Sequence, residues 1–66
     1  MIMSKFWEAG RTAEVILENN QWGCNYYADG ELIATEMYAG HSESYAESAA
    51  ENYVLGVKNF GQDRSL

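Results

Sequence analysis

Proline is absent from the 66 residues, and no segment is repeated or low in complexity, so nothing in the composition marks a linker. A single cysteine, Cys24, excludes an internal disulfide framework and leaves no Cys/His spacing suited to zinc. A reducing cytoplasm suits such a chain best. Nowhere do about 18 apolar residues run together, and the opening MIMSKFW lacks the apolar run of a signal peptide, so neither a membrane span nor secretion is indicated. Positive charge is scarce: four Lys and Arg stand against ten Asp and Glu, a net charge of -6. Such a chain repels phosphate backbones unless its cations cluster, and Lys5, Arg11, Lys58 and Arg64 are scattered. Direct nucleic-acid binding is therefore disfavoured, whereas a basic protein surface is electrostatically open as a partner.

What the chain does have is aromatic residues, two Trp, five Tyr and two Phe, in a body with 47% hydrophobic and 21% charged residues. That usage is globular, and the length allows one small domain that buries only about 60% of the surface its unfolded form exposes. Large aromatic side chains supply buried area where the core is small, and some are left for a partner. Residues 1 to 4 and the closing GQDRSL lack periodicity and are expected to be loose ends.

Period-two alternation organises the middle of the chain. RTAEVILE (11 to 18) alternates apolar residues up to Asn19-Asn20, a pair that tolerates the positive φ of a tight turn. QWGCNYYA (21 to 28) follows, then the strong hairpin signal Asp29-Gly30, then ELIATEMYA (31 to 39). Two-residue turns place Leu17 opposite Trp22, Val15 opposite Cys24, Tyr26 opposite Ile33, Tyr27 opposite Leu32 and Trp22 opposite Met37. That register puts Ala13, Val15, Leu17, Trp22, Cys24, Tyr26, Ile33, Thr35 and Met37 on one apolar face that must be covered.

The period changes to 3.6 at residue 43, where either Ser42 is the N-cap or Ser44 and Glu47 form a capping box. Ala46, Ala49, Ala50, Tyr53, Val57 and Phe60 fall on one stripe with Val54 at its edge, and Gly61 is a plausible stop; Gly56 either allows close packing or marks an earlier end. The fold expected is α+β: a three-stranded antiparallel meander covered on one face by a C-terminal helix. SKFWEAG (4 to 10) is read as either an early part of the first strand, separated by Gly10, or a short helical turn.

The chemistry-bearing residues have structural explanations. His41, Ser42 and Ser44 lie at a helix entrance, where capping accounts for both serines, and Cys24 sits at an inward strand position as a small hydrophobe. Glu43, Glu47 and Glu51 make an acidic row along the helix, but a row does not converge on a point as a Ca²⁺ or Mg²⁺ site requires. No metal, cofactor or enzymatic activity is expected. The outer sheet face instead carries Thr12, Ile16, Tyr27, Leu32 and Tyr38, more apolar surface than a solvated face requires, and Leu55 lies on the polar side of the helix. These six residues are the expected protein-binding set, with Glu14, Glu36, Glu43, Glu47 and Glu51 as an acidic surface.

A meander followed by a helix resembles, at fold level, small sheet-reading DNA-binding domains and part of the double-stranded-RNA-binding fold. Glu14, Glu18 and Glu36 on the outer face oppose that activity, since reading surfaces of those families are basic. The stretches YADGELI and GHSESYAESAAENYVLG resemble small accessory proteins of tailed bacteriophages over about half the chain, and the resemblance implies a small viral protein that binds another protein. Three functions follow: a non-catalytic protein-binding module that self-associates, with a dimer favoured; an acidic nucleic-acid mimic that blocks a basic protein; and, least supported, a small enzyme.

Overall fold

The computed structural model of the chain describes residues 1–60: four strands and one helix in the order β1 (Ile2–Glu8), β2 (Arg11–Glu18), β3 (Gln21–Ala28), β4 (Glu31–Tyr38) and α1 (Glu43–Val54). The sheet is an antiparallel meander with strand order β1-β2-β3-β4, and α1 covers one face, chiefly over β2. The fold is α+β as expected, with four strands in place of three.

The extra strand is the stretch that alternation left open. Residues 2 to 4, expected to be a loose end, belong to β1: Ile2 pairs with Ile16 and Ser4 with Val15, with Met3 as the extra residue of a bulge between them. The turn joining β1 to β2 is Ala9 (φ 50°) and Gly10 (φ 84°), and it has the same two-positive-φ form as Asn19-Asn20 (50°, 63°) and Asp29-Gly30 (51°, 84°). That form matches the right-handed twist of paired strands, and Asn, Asp and Gly adopt it readily. Alanine does not, so Ala9 hides the first turn from a reader of the sequence. The turns recur every ten residues although no sequence motif repeats.

The β2–β3 register is the one expected, with Val15 opposite Cys24 and Leu17 opposite Trp22. The β3–β4 register is not. Tyr27 faces Leu32 as expected, but Tyr26 then faces Ala34, so Ile33 is an extra residue and every later position of β4 changes side. Thr35 and Met37, expected under the helix, point to the open face opposite Asn25 and Gly23; Glu36 and Tyr38, expected on the open face, lie with Ala34 on the helix side, opposite Cys24, Trp22 and Tyr26 respectively. Side-chain bonds on the covered side accompany the switch. The Tyr26 and Tyr38 hydroxyls hydrogen-bond, Tyr38 donates to Glu36 at 2.9 Å, and Lys58 Nζ pairs with Glu36 at 3.1 Å. On the other side Met37 lies over Gly23 so closely that a Cβ there would meet its sulfur and the Glu36 carbonyl oxygen inside 3.0 Å, so any larger residue at this point forces β4 to shift.

Ser42 is the N-cap: its Oγ accepts the Tyr45 N–H at 3.4 Å, and Glu43 sits in the first turn at the positive helix end. The helix stops earlier than Gly61, which lies outside the described residues. Gly56 (φ 86°) takes the left-handed position after the Leu55 cap, and the N–H groups of Gly56 and Val57 donate to the Tyr53 and Asn52 carbonyls at 3.0 and 2.8 Å. This arrangement satisfies carbonyls that the helix end would otherwise leave bare. Val57 is consequently 72% exposed and off the stripe, whereas Phe60 returns to pack on Tyr26 and Tyr53.

Arg11 secures that return. Its guanidinium donates to the carbonyls of Tyr53 and Lys58 at 2.9 and 3.1 Å and to Asn59 Oδ1 at 2.6 Å, and it lies 4.8 Å from the Tyr53 ring centre. The core is thus Ala13, Val15, Cys24 and Tyr26 from the sheet against Ala46, Ala50, Tyr53 and Val54 from the helix, with Phe6, Trp22, Ile33, Ala34, Tyr38 and Phe60 packed around it. Small alanines on α1 let the helix approach the sheet, and Tyr26 and Tyr53 are the largest fully buried side chains.

Candidate protein-contact face

Strand pairing arranges the uncovered face as three rows that each cross all four strands: Trp7, Thr12, Tyr27 and Leu32 at one end; Lys5, Glu14, Asn25 and Thr35 in the middle; Ile2, Ile16, Gly23 and Met37 at the other end. Side chains on one face of paired strands lie within contact distance of their cross-strand neighbours, so each row is a continuous strip. The outer strips are apolar and the central one is polar.

The central strip is hydrogen-bonded within itself. Glu14 Oε1 accepts from the Tyr27 hydroxyl at 3.1 Å and from Asn25 Nδ2 at 3.3 Å, and Thr35 Oγ1 donates to Asn25 Oδ1 at 2.6 Å. Glu14 is buried although no helix of the described residues lies above it. The Tyr27 phenol is pushed up from its ordinary range, first because ionising it would forfeit the bond to Glu14, then by desolvation and by the repulsion of that carboxylate. Tyr27 therefore stays a donor that holds Glu14 in place, and the polar strip is a fixed feature of the face.

The apolar strips are exposed where they reach the sheet edges. Trp7 is 69% exposed, Leu32 55%, Ile2 56% and Met37 39%, while Ile16 between them is buried by its neighbours. Exposed apolar residues scattered singly need no explanation, but two strips on one face form a patch of the kind that marks contact surfaces.

Of the expected protein-binding residues, the structure brings Thr12, Ile16, Tyr27 and Leu32 together on this face. It does not bring Tyr38, which is half-buried beneath the helix side and bonded to Tyr26, nor Leu55, which caps α1 and is 63% exposed. Trp7, Ile2, Met37 and Lys5 belong to the face and were missed. Ile2, Lys5 and Trp7 lie on the strand left open by the sequence, and Met37 was on the wrong side because of the bulge. The alternation of Lys5 and Trp7 with half-buried Ser4 and Phe6 is the signal that could have found them.

The expected acidic surface is divided. Glu14 is inside the open-face network, Glu36 is paired with Lys58 on the helix side, and Glu43, Glu47 and Glu51 are on α1, with no ion pair among the described residues. On the helix side burial pushes the Tyr26 and Tyr38 phenols and the Cys24 thiol upward, with Glu36 adding to the shift at Tyr38 and Cys24. The thiol also donates to the Ala46 carbonyl at 3.2 Å. His41 stacks on Tyr45 at 3.8 Å between ring centres. A shallow hollow of about 310 Å³ lies beside the helix, lined by Tyr45, Ser48, Ala49, Asn52 and Lys58. No helix among the described residues is long and apolar enough to cross a membrane. No family model, curated protein or solved structure matches the chain.

Proposed function

We propose that the protein is a non-catalytic binding module of the cytoplasm whose uncovered sheet face is its contact surface for another protein chain. The observation that carries this reading is the arrangement of two exposed apolar strips on either side of a hydrogen-bonded polar strip. Interfaces combine apolar anchors, aromatic above all, with polar groups whose partners fix the register, and Trp7 and Leu32 are such anchors at opposite sheet edges. The two groups most suggestive of catalysis support this reading as well: the Cys24 thiol is buried and bonded to a helix carbonyl, and His41 is stacked on an aromatic ring.

The test is capture of host proteins by the immobilised protein, comparing wild type with Tyr27→Ser/Leu32→Ser and with Leu55→Ser. Loss of the captured protein in the sheet-face variant alone is the expected result. Equal capture by wild type and the sheet-face variant would reject the face. A second reading, the acidic mimic, draws on the helix row Glu43, Glu47 and Glu51, which forms no ion pair among the described residues. Capture that disappears at high salt and depends on those three carboxylates, rather than on Tyr27 and Leu32, would favour it.

A further inference from the structure

The chain carries a charge of -6, yet the described residues of the open face hold almost none of it. Among the described residues the ionic side chains there are Lys5, Glu14 and Glu18, and the Glu18 carboxylate is paired with the Met1 amine at 2.6 Å. With one lysine against one hydrogen-bonded glutamate and one ion pair, the face is close to neutral, while Glu43, Glu47 and Glu51 lie on the helix at the far side. A second copy of this acidic chain therefore meets least repulsion when it approaches face to face.

Two aligned two-fold stacks of such faces are possible, and their charges distinguish them. With the axis across the strands, each strand lies over its own copy and the central row meets itself, so Lys5 opposes Lys5 and Glu14 opposes Glu14. With the axis parallel to the strands, β1 lies over β4 of the second copy and β2 over β3, while each row meets the same row in reverse order. Lys5 then faces Thr35, Glu14 faces Asn25, Trp7 faces Leu32 and Ile2 faces Met37, each pair occurring twice. Resting on the reading of this face as the contact surface, we infer that its partner is a second copy of the chain, stacked about a two-fold axis parallel to the strands.

The area is sufficient. Four strands about 4.8 Å apart and about 27 Å long give roughly 500 Å² per copy, so a stack buries about 1,000 Å² in all, the lower bound of specific interfaces. A weak, concentration-dependent dimer is expected.

The test places a charge at Thr35, which is exposed and faces Lys5 only in the proposed stack. Sedimentation equilibrium from about 1 µM to 1 mM protein measures dimerisation of wild type, Thr35→Glu and Thr35→Lys, with circular dichroism confirming that each is folded. Thr35→Glu should tighten the dimer and Thr35→Lys weaken it, each by roughly threefold to tenfold, because two symmetric surface pairs change together. General repulsion between acidic chains predicts the opposite order. Lys5→Glu combined with Thr35→Lys recreates the opposite-charge pair in reverse and should bind about as tightly as Thr35→Glu, and the differences should vanish in about 1 M salt.

Weakening by both substitutions would show Thr35 facing itself and overturn the arrangement. A dimer indifferent to both would show that another surface is used, and also overturn it. A monomer throughout the concentration range overturns the inference too, while capture that still depends on Tyr27 and Leu32 would leave the contact face itself standing.

Discussion

The two faces of one sheet are built from the same four strands, but they hold their polar groups for different ends. On the helix side, hydroxyl and carboxyl groups are fastened to the covering segment: Tyr53 donates to the Tyr27 carbonyl at 2.9 Å, Glu36 pairs with Lys58, and Arg11 holds the chain that follows α1. On the open side, Glu14, Asn25, Tyr27 and Thr35 bond, among the described residues, to one another, and the apolar residues around them reach solvent. The helix face is closed by this chain's own groups, and the open face is set firmly with none of the described residues above it. Stability should therefore reside on one face and recognition on the other, and each expectation below tests that division.

The largest effect should come from Tyr26→Ala. Tyr26 is fully buried, packs edge-on to Tyr53 and beside Phe60, and bonds to Tyr38. Removing a buried aromatic ring costs about 3–5 kcal/mol, comparable with the whole stability that a core of this size supplies. Urea unfolding should show most of the variant unfolded without denaturant. A stable, cooperative Tyr26→Ala protein would mean the helix side is not the seat of stability.

Alkali acts on the same face without any mutation. Tyr26 and Tyr38 are pushed upward in the folded chain, mainly by desolvation, so the fold keeps protons that the unfolded chain releases above about pH 10. A raised phenol contributes stability that is fully present below the unfolded value and is lost as the pH rises towards the folded one. With both phenols still protonated in the fold, stability should fall by roughly 3 kcal/mol per pH unit above 10. Denaturant midpoints at pH 8, 9, 10 and 11 measure this, and a flat profile across pH 10 to 11 would contradict the buried pair. Tyr26→Phe should make the profile shallower.

The division between faces was partly legible in the sequence. The pairing of β2 with β3 could be read because Asn19-Asn20 fixes a two-residue turn and Ala13, Val15, Cys24 and Tyr26 alternate cleanly. The helix start was legible from Ser42. The pairing of β3 with β4 was not, because a bulge depends on tertiary contacts: Asp29-Gly30 sets the register as far as Tyr27 and Leu32, and the bonds of Tyr38 and Glu36 accompany its change beyond Ile33. The strand β1 was hidden by the wrong residue type in its turn, alanine at positive φ, and with it Lys5 and Trp7. Four of the six expected contact residues consequently reached the open face, and its most exposed anchor, Trp7, did not figure among them.

Gly23→Ala should sharpen the contrast, because Gly23 belongs to the open face by register yet is buried. An added Cβ would strike the Glu36 carbonyl oxygen, a backbone atom that moves only with β4. Overpacking of this kind costs about 1–3 kcal/mol, and here it would act through the bulge that puts Met37 outside and Tyr38 inside. Thermal unfolding should show the loss, and amide exchange should show it concentrated in β4. A neutral Gly23→Ala would show that β3 and β4 separate there without cost.

The smallest effect on stability should come from the residues argued to matter most for recognition. Trp7 and Leu32 stand at opposite sheet edges with more than half their surface exposed, and neither contributes to the core cluster. Exposed positions away from caps and buried networks usually change stability by less than about 0.5 kcal/mol, so Trp7→Ser and Leu32→Ser should each leave the urea midpoint almost unchanged. Both strips would nevertheless lose an anchor, and association through the face should weaken, since a few large apolar residues carry most of the energy of an interface. A pair of substitutions that destabilises the monomer by several kcal/mol would place these residues in the core after all. One that leaves both folding and association untouched would reduce the apolar strips to ordinary surface.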